Sequence, residues 1–313
     1  MQDLSEHTLD PFLQQQKTCS AFYKRFAYWV ARPALYRYAR KQLSNDFLLG
    51  APRKTRVLPE RGFPMEARRA WLNRHIRLRG AKLVVQGTGS GWDTLSWVRY
   101  GPISIIALDL YPYGISWRKI RHHTREEGLK PPDFLLSSLE NIPLKSGTAD
   151  VVVSDAVYEH CVDLESVMRE TYRILKPGGY VYSTYGPLWF CFGGDHFSGR
   201  GGLQYGYAHI EAMSEQYRRY FEEHRREDPD AQSGGRYVEL DLFSKLASKD
   251  YFAIYAKVGF KIVDLIIEVS NNALQFRRRW PQRVKDLLVK YPTLSCDDLL
   301  VKGHFAILRK TAT

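Results

Sequence analysis

Between Lys82 and Tyr185 the chain alternates short apolar runs with amphipathic stretches. KLVVQ (82–86), ISIIALDL (103–110), FLLSS (134–138), ADVVVSDA (149–156) and GYVYSTY (179–185) are too short and too rich in β-branched residues for helices. The intervening segments, from about Trp92, over 117–127 and over 164–175, place apolar residues at helical spacing. The last of these stops at Lys176-Pro177-Gly178-Gly179, a cation followed by helix-breaking residues. Apolar strands separated by amphipathic helices predict a parallel sheet covered on both faces, an α/β fold. A helix over 249–258 and strands over 261–269 (KIVDLIIEV) and 303–308 (GHFAIL) extend the pattern.

The flanking segments differ. Residues 1–19 are polar and read as a loosely held arm. Residues 20–43 carry six Lys or Arg interleaved with aromatics, no acid, and a proline, Pro33, that should break or kink a helix. Residues 50–64 are rich in proline and glycine and read as a connecting loop, and 66–79 as a second basic helix. Residues 187–240 mix glycine, aromatics and charge without a clean period. Four units are therefore expected: a helical cap and linker over 1–80, a core over 81–186, an inserted lid over 187–248, and the rest of the sheet, with a helical insertion, over 249–313.

A length of 313 residues suits one large α/β domain with additions or two modest ones. The net charge of +12 points to an anionic partner or to a generally basic enzyme. Cys19, Cys161, Cys191 and Cys296 lie far apart, so neither a zinc site nor a disulfide framework is expected. No signal-peptide layout and no bilayer-spanning apolar stretch is present, which favours a cytoplasmic location.

The chemistry-bearing segment is Gly87-Thr88-Gly89-Ser90-Gly91, after a strand and before a helix. Glycines there let the main chain turn tightly and approach a ligand closely. A dinucleotide fingerprint would want its third glycine at position 92, which is Trp92, so a dinucleotide is disfavoured. Asp109 lies 22 residues beyond Gly87 at the tip of the second strand, where a carboxylate accepts ribose hydroxyls.

From Leu139 to Trp189 the chain resembles class I S-adenosylmethionine-dependent methyltransferases of the ubiquinone/menaquinone-biosynthesis (type 11) kind. The likeness rests on the Glu140-Asn-Ile-Pro143 loop, Glu159-His160 after the fourth strand, the Asp163-Leu164 helix start and Leu175-Lys-Pro-Gly-Gly179, together with the glycine turn. It runs from about Lys82 to Pro187. The resemblance implies a Rossmann-like, seven-stranded, mostly parallel sheet with an antiparallel last strand, and S-adenosyl-L-methionine as cofactor. It implies that Gly87, Thr88, Gly89 and Gly91 line the methionine and ribose portion. Asp109 would bind the ribose, Leu110 pack on adenine, Ser138 and Leu139 sit at the adenine edge, and Asp155 and Ala156 border the methionine moiety. Two positions depart from the family: Val85 stands where an acid contacts the cofactor's amino group, and Ser138 where an Asp is usual.

The expected reaction is O-methylation of a small-molecule, sugar or natural-product hydroxyl, which requires a base. The candidates are His196, His160 and Asp195, with His196 favoured because it follows the fifth strand; His209 is a further imidazole in reach. Asp195, His196 and His209 fit no standard ligand spacing, and no metal is expected. Residues 186–197 also resemble a loop of bacterial methyltransferases that modify surface glycans and sugars, which points to a small or glycan-like acceptor, anionic or lipid-linked. Nucleic acid is a weaker alternative, because the [DN]PP[YFW] segment is absent. A degenerate, non-catalytic binder is another, and a membrane-associated one would touch the bilayer peripherally through 20–43.

Overall fold

A computed structural model describes residues 30, 33–51, 55–60, 65–212, 214–225 and 242–311. Eight strands form one sheet: β1 (Arg56–Pro59), β2 (Lys82–Gln86), β3 (Ser104–Asp109), β4 (Asp133–Leu136), β5 (Ala149–Asp155), β6 (Leu175–Tyr185), β7 (Phe260–Val269) and β8 (Val301–Lys310). Their order is β1-β7-β8-β6-β5-β2-β3-β4. Only β8 runs antiparallel to its neighbours, as expected of the last strand. The expected seven strands become eight, because β1 pairs in parallel with β7 inside the stretch read as a loop. Four residues ending in Pro59 give too short a pattern to stand out from a linker, and an edge strand tolerates the proline.

Alternation along the buried strands divides the core between the two faces. Val84, Val152 and Val181 pack on one side with Leu164, Val167 and Met168 of helix Leu164–Ile174. Leu83, Val85, Val151, Val153 and Tyr182 pack on the other with Trp71, Leu72 and Trp97. Trp71 and Leu72 belong to helix Met65–His75, the second basic helix of the sequence. It is therefore part of a covering layer of the sheet. Of the basic stretch 20–43, residues 33–40 are helical, while 1–29, 31 and 32 lie outside the described residues. No helix among the described residues is long and apolar enough to cross a membrane.

Arg69 fixes that helix. It is 1% exposed, and its guanidinium lies 3.9 Å from the Trp97 ring. It pairs with Asp155 Oδ2 at 2.7 Å, donates to Asp155 Oδ1 at 3.0 Å and to Tyr182 Oη at 2.8 Å, and through Nε to Ser96 Oγ at 3.0 Å. The pair holds the Asp155 carboxyl below its ordinary range despite burial. Removing one partner of such a pair leaves the other buried and uncompensated. Arg69→Met is expected to lower the unfolding free energy by about 3–5 kcal/mol in urea, and adding Asp155→Asn should return part of that loss. A single-variant loss under about 1 kcal/mol would mean that the pair does not anchor the helix.

Candidate active site

The parallel strands β2, β3 and β5 end side by side, since Gln86 pairs with Leu108 and with Ser154. Ligands meet open α/β sheets at that carboxyl edge. The glycine turn follows β2. Gly87 has φ +67°, and a Cβ there would meet Val157 Cγ2 at 2.2 Å. Gly91, at φ +93°, caps helix Trp92–Val98, and its Cβ would lie 2.7 Å from Ile120 Cδ1. Gly89 differs: at φ +51°, nothing lies within 4 Å of its would-be Cβ. The turn is pinned from outside by Trp117, whose indole N–H donates to the Gly89 carbonyl at 2.8 Å.

Asp109 closes the turn against the tip of β3. Its Oδ2 accepts from the Gly89 amide at 2.6 Å and its Oδ1 from the Tyr111 amide at 3.0 Å. Burial raises its carboxyl, and these amides work against that rise. Each oxygen keeps acceptor capacity for a further donor.

A cavity of about 700 Å³ opens beside this contact. Gly87, Thr88 and Gly89 form one wall, Asp109, Leu110, Ser138 and Leu139 another, and Ala156, Val157 and His160 a third. Leu242 reaches it from beyond the long insertion. Among the described residues its charged lining is acidic: Asp93, Asp109 and Glu140 face it, and no described Lys or Arg does. Asp93 was not singled out by sequence, because one acid in a helix's first turn carries no spacing signal. Its carboxylate makes no hydrogen bond to the described residues. Burial, with the nearby Asp155 charge, pushes it up to about 6.

Several expectations need correction. Asp155 does not line the cavity, because its carboxylate is turned to Arg69, Tyr182 and Thr184. Ala156, the next residue, does line it. His196 is not in the lining either; its ring stacks on that of His160, with centroids 5.0 Å apart and 28° between planes. His160 is the imidazole at the cavity. Asp195 is fully buried and accepts from the Ser198 amide at 2.8 Å, the Ser198 hydroxyl at 3.0 Å and the Tyr217 hydroxyl. His209 lies 3.7 Å from Asp195 and bonds Ser198 Oγ and the Trp189 carbonyl. Asp195 and His209 thus hold the inserted segment together, and the grouping Asp195–His196–His209 is not assembled.

Residues 84–183 match the family model described as a methyltransferase domain. The malonyl-[acyl-carrier protein] O-methyltransferase of Serratia marcescens is 30% identical over 105 residues, covering 33% of this chain and 37% of that protein. A probable phthiotriol/phenolphthiotriol dimycocerosates methyltransferase 2 of Mycobacterium ulcerans is 34% identical over 105 residues, 33% of this chain and 38% of the relative. Haemonchus contortus phosphoethanolamine N-methyltransferase 2, solved with S-adenosyl-L-methionine, shares 17% identity and a TM-score of 0.47, covering 79% of this chain and 53% of that one. The chain spans 21% to 37% of the length of the first three curated relatives it matches.

The glycines make separable demands. Gly87→Ala should lower the thermal midpoint by several degrees, because its methyl would overlap Val157. Gly89→Ala should cost only about 1 kcal/mol of backbone strain, since its methyl meets open space. Thermal melts in which Gly89→Ala is the more damaging change would contradict this account of the turn.

Proposed function

We propose that this chain, whose residues 84–183 form a Rossmann-like S-adenosylmethionine-dependent methyltransferase domain, transfers a methyl group to the hydroxyl of a small-molecule, sugar or natural-product acceptor. The observation that carries the reading is Asp109 bound to the Gly89 amide at the mouth of an acidic cavity. The chain as a whole is strongly basic, yet the described residues that line the cavity include three carboxylates and no Lys or Arg. A donor bearing an ammonium and a sulfonium suits that lining, and an anionic nucleotide does not.

When bound, S-adenosyl-L-methionine supplies a methyl group on a positively charged sulfur. Asp109 holds the ribose hydroxyls, with Leu110, Ser138 and Leu139 around the base. Asp93 takes the ammonium, the task that Val85 cannot perform. Gly87, Thr88 and Gly89 lie along the methionine portion, Ala156 and Val157 form its apolar wall, and Gly91, expected beside it, lies outside the cavity lining and turns the chain into helix Trp92–Val98. His160 then receives the acceptor's proton. Burial and the neighbouring His196 push its imidazole down to about 3, so it is neutral, and one ring N–H bonds to the Leu242 carbonyl. The other nitrogen, Nδ1, carries the lone pair and is itself buried, so the ring has to turn for it to meet the acceptor. So weak a base is sufficient, because the hydroxyl proton becomes strongly acidic as the oxygen–methyl bond forms. His160 therefore replaces His196 as the favoured base, and Asp195 plays no part. Leu242 in the lining, and His196 and Phe243 packed on His160, support the insertion over 187–248 as the acceptor-side lid. The O-methyltransferase named in the Serratia relative supports oxygen as the methylated atom.

Calorimetry with S-adenosylhomocysteine tests the reading, and a folded chain that does not bind it would refute it. Asp109→Asn should weaken both S-adenosylhomocysteine and methylthioadenosine by about 10–100-fold, the effect of losing a hydrogen bond to a charged group. Asp93→Asn should weaken only the former, since methylthioadenosine lacks the ammonium.

The pH dependence follows from Asp93. Above about pH 6 it is a carboxylate and attracts the ammonium; as pH falls through that value it protonates and the attraction is lost. S-adenosylhomocysteine affinity should therefore fall below about pH 6 in the unaltered protein and stay flat in Asp93→Asn. Parallel pH curves for the two proteins would remove Asp93 from the ammonium's surroundings.

A further inference from the structure

Behind the wall of the cavity three potential ligands converge. Glu159 and His160 end the single turn Tyr158–His160 that follows β5, and His196 comes from the insertion after β6. One ligand atom from each lies within 4.8 Å of the others. Glu159 is 1% exposed; its Oε1 accepts from the Gly186 amide at 3.0 Å, whereas its Oε2 has no hydrogen-bond partner among the described residues. A buried carboxylate oxygen in that state is costly unless a cation or a proton meets it. Asp155, of like sign, acts on it electrostatically.

The two imidazoles are arranged as ligands are. His160 donates one ring N–H to the Leu242 carbonyl, the kind of outer contact that orients a metal-bound imidazole and fixes its tautomer. His196 sits at φ +67°, a conformation disfavoured for a residue with a Cβ. Strain of that kind is held where the surroundings over-determine it, which is common at functional sites. Phe243 packs against both rings, at 4.9 Å from His160 and 5.6 Å from His196.

We propose that Glu159, His160 and His196 bind a divalent transition-metal ion at the wall of the cavity. Two imidazoles and one carboxylate suit zinc, manganese, iron or cobalt, whereas magnesium and calcium take oxygen sets. Bonds of about 2.0–2.2 Å place ligand atoms roughly 3–3.5 Å apart, so the three groups close on the ion through small side-chain rotations. Three protein ligands leave coordination positions open, and His160 lies on the cavity side. The binding of the ion is independent of the methyl-transfer reading; its use rests on that reading. There the ion holds the acceptor oxygen, and an adjacent second oxygen where the acceptor has one. It lowers the hydroxyl's pKa, so that solvent water takes the proton, the freed oxygen attacks the methyl carbon while the sulfur keeps the bond pair, and the His160 lone pair is given to the metal.

The test is titration of the full, metal-stripped chain with Co²⁺, read by visible absorption and without methyl donor. One equivalent should bind with saturation. Glu159→Gln, which keeps an oxygen for the Gly186 amide, and His196→Asn, which tolerates left-handed backbone, should each weaken binding. Each loss should be at least as large as the roughly 10–100-fold that follows removal of an outer partner. Replacing His122 and His123, both outside the cavity lining on helix Gly114–Glu126, with Ala should change nothing. The proposal is overturned if the folded chain shows no saturable uptake. It is also overturned if both site variants bind like the unaltered protein, or if uptake disappears only with His122 and His123. S-adenosylhomocysteine calorimetry on the same stripped sample separates the readings: loss of that binding alone sinks methyl transfer, and loss of Co²⁺ binding alone sinks the metal site.

Discussion

A carboxylate at the end of a buried parallel strand has to be neutralised by something, and here Arg69 does it. The consequences run outward from that contact. With Asp155 turned to Arg69 and to Thr184 Oγ1, and the Ala156 amide bonded to the Thr184 carbonyl at 2.6 Å, the chain leaving β5 is fixed in direction. Ala156, at φ +54°, then turns it so that Val157 meets the glycine turn and His160 meets the cavity. Because Arg69 lies on helix Met65–His75, the N-terminal part of the chain helps to position residues at the site. The same residue shows why a stretch of basic sequence is poor evidence for a polyanion-binding face, since its most buried cation is already satisfied within the protein.

Asp109 does for β2 and β3 what Arg69 does for β5. Its bond to the Gly89 amide joins residues 20 apart in sequence and sets the distance between the glycine turn and the next strand tip. Trp117, stacked on Phe134 with centroids 5.0 Å apart, holds the Gly89 carbonyl from the other side. The turn is thus bonded through both its amide and its carbonyl before any ligand arrives, which is how a binding site avoids large ordering penalties.

What could be read from the sequence was what is local. Strands of four to eight apolar residues, glycines at fixed spacing and an acid about 20 residues on all express short-range periodicity, and the sheet edge, the turn and Asp109 were legible for that reason. The misplacements have the opposite origin. Asp155 was assigned by resemblance to the ligand, but its partner is Arg69, 86 residues earlier. His196 was favoured because it follows β6, yet which way its ring faces depends on the left-handed backbone and on Phe243, 47 residues later. β1 was missed because four residues cannot display a period, and its pairing with β7 spans more than 200 residues. Asp93 was missed because the sequence shows an acid in a first helical turn as an ordinary dipole partner; only the cavity makes it more than that.

Two carboxylates four residues apart at the end of β5 show how much is decided by the partner. Asp155, its side chain 12% exposed, is held below its ordinary range, whereas Glu159, 1% exposed, is pushed up to about 8. Burial acts on both in the same direction, so the difference is the guanidinium that one has and the other lacks. The chain has the means to neutralise a buried acid and uses them at position 155, while at 159 it places the imidazoles of His160 and His196 instead. An imidazole compensates an anion only when protonated, whereas with the carboxylate these two form a donor set for a cation that comes from outside. A buried acid to which no described residue brings a counter-charge is a poor way to stabilise a fold. It is a good way to hold an ion beside the place where an acceptor oxygen has to be aligned and deprotonated.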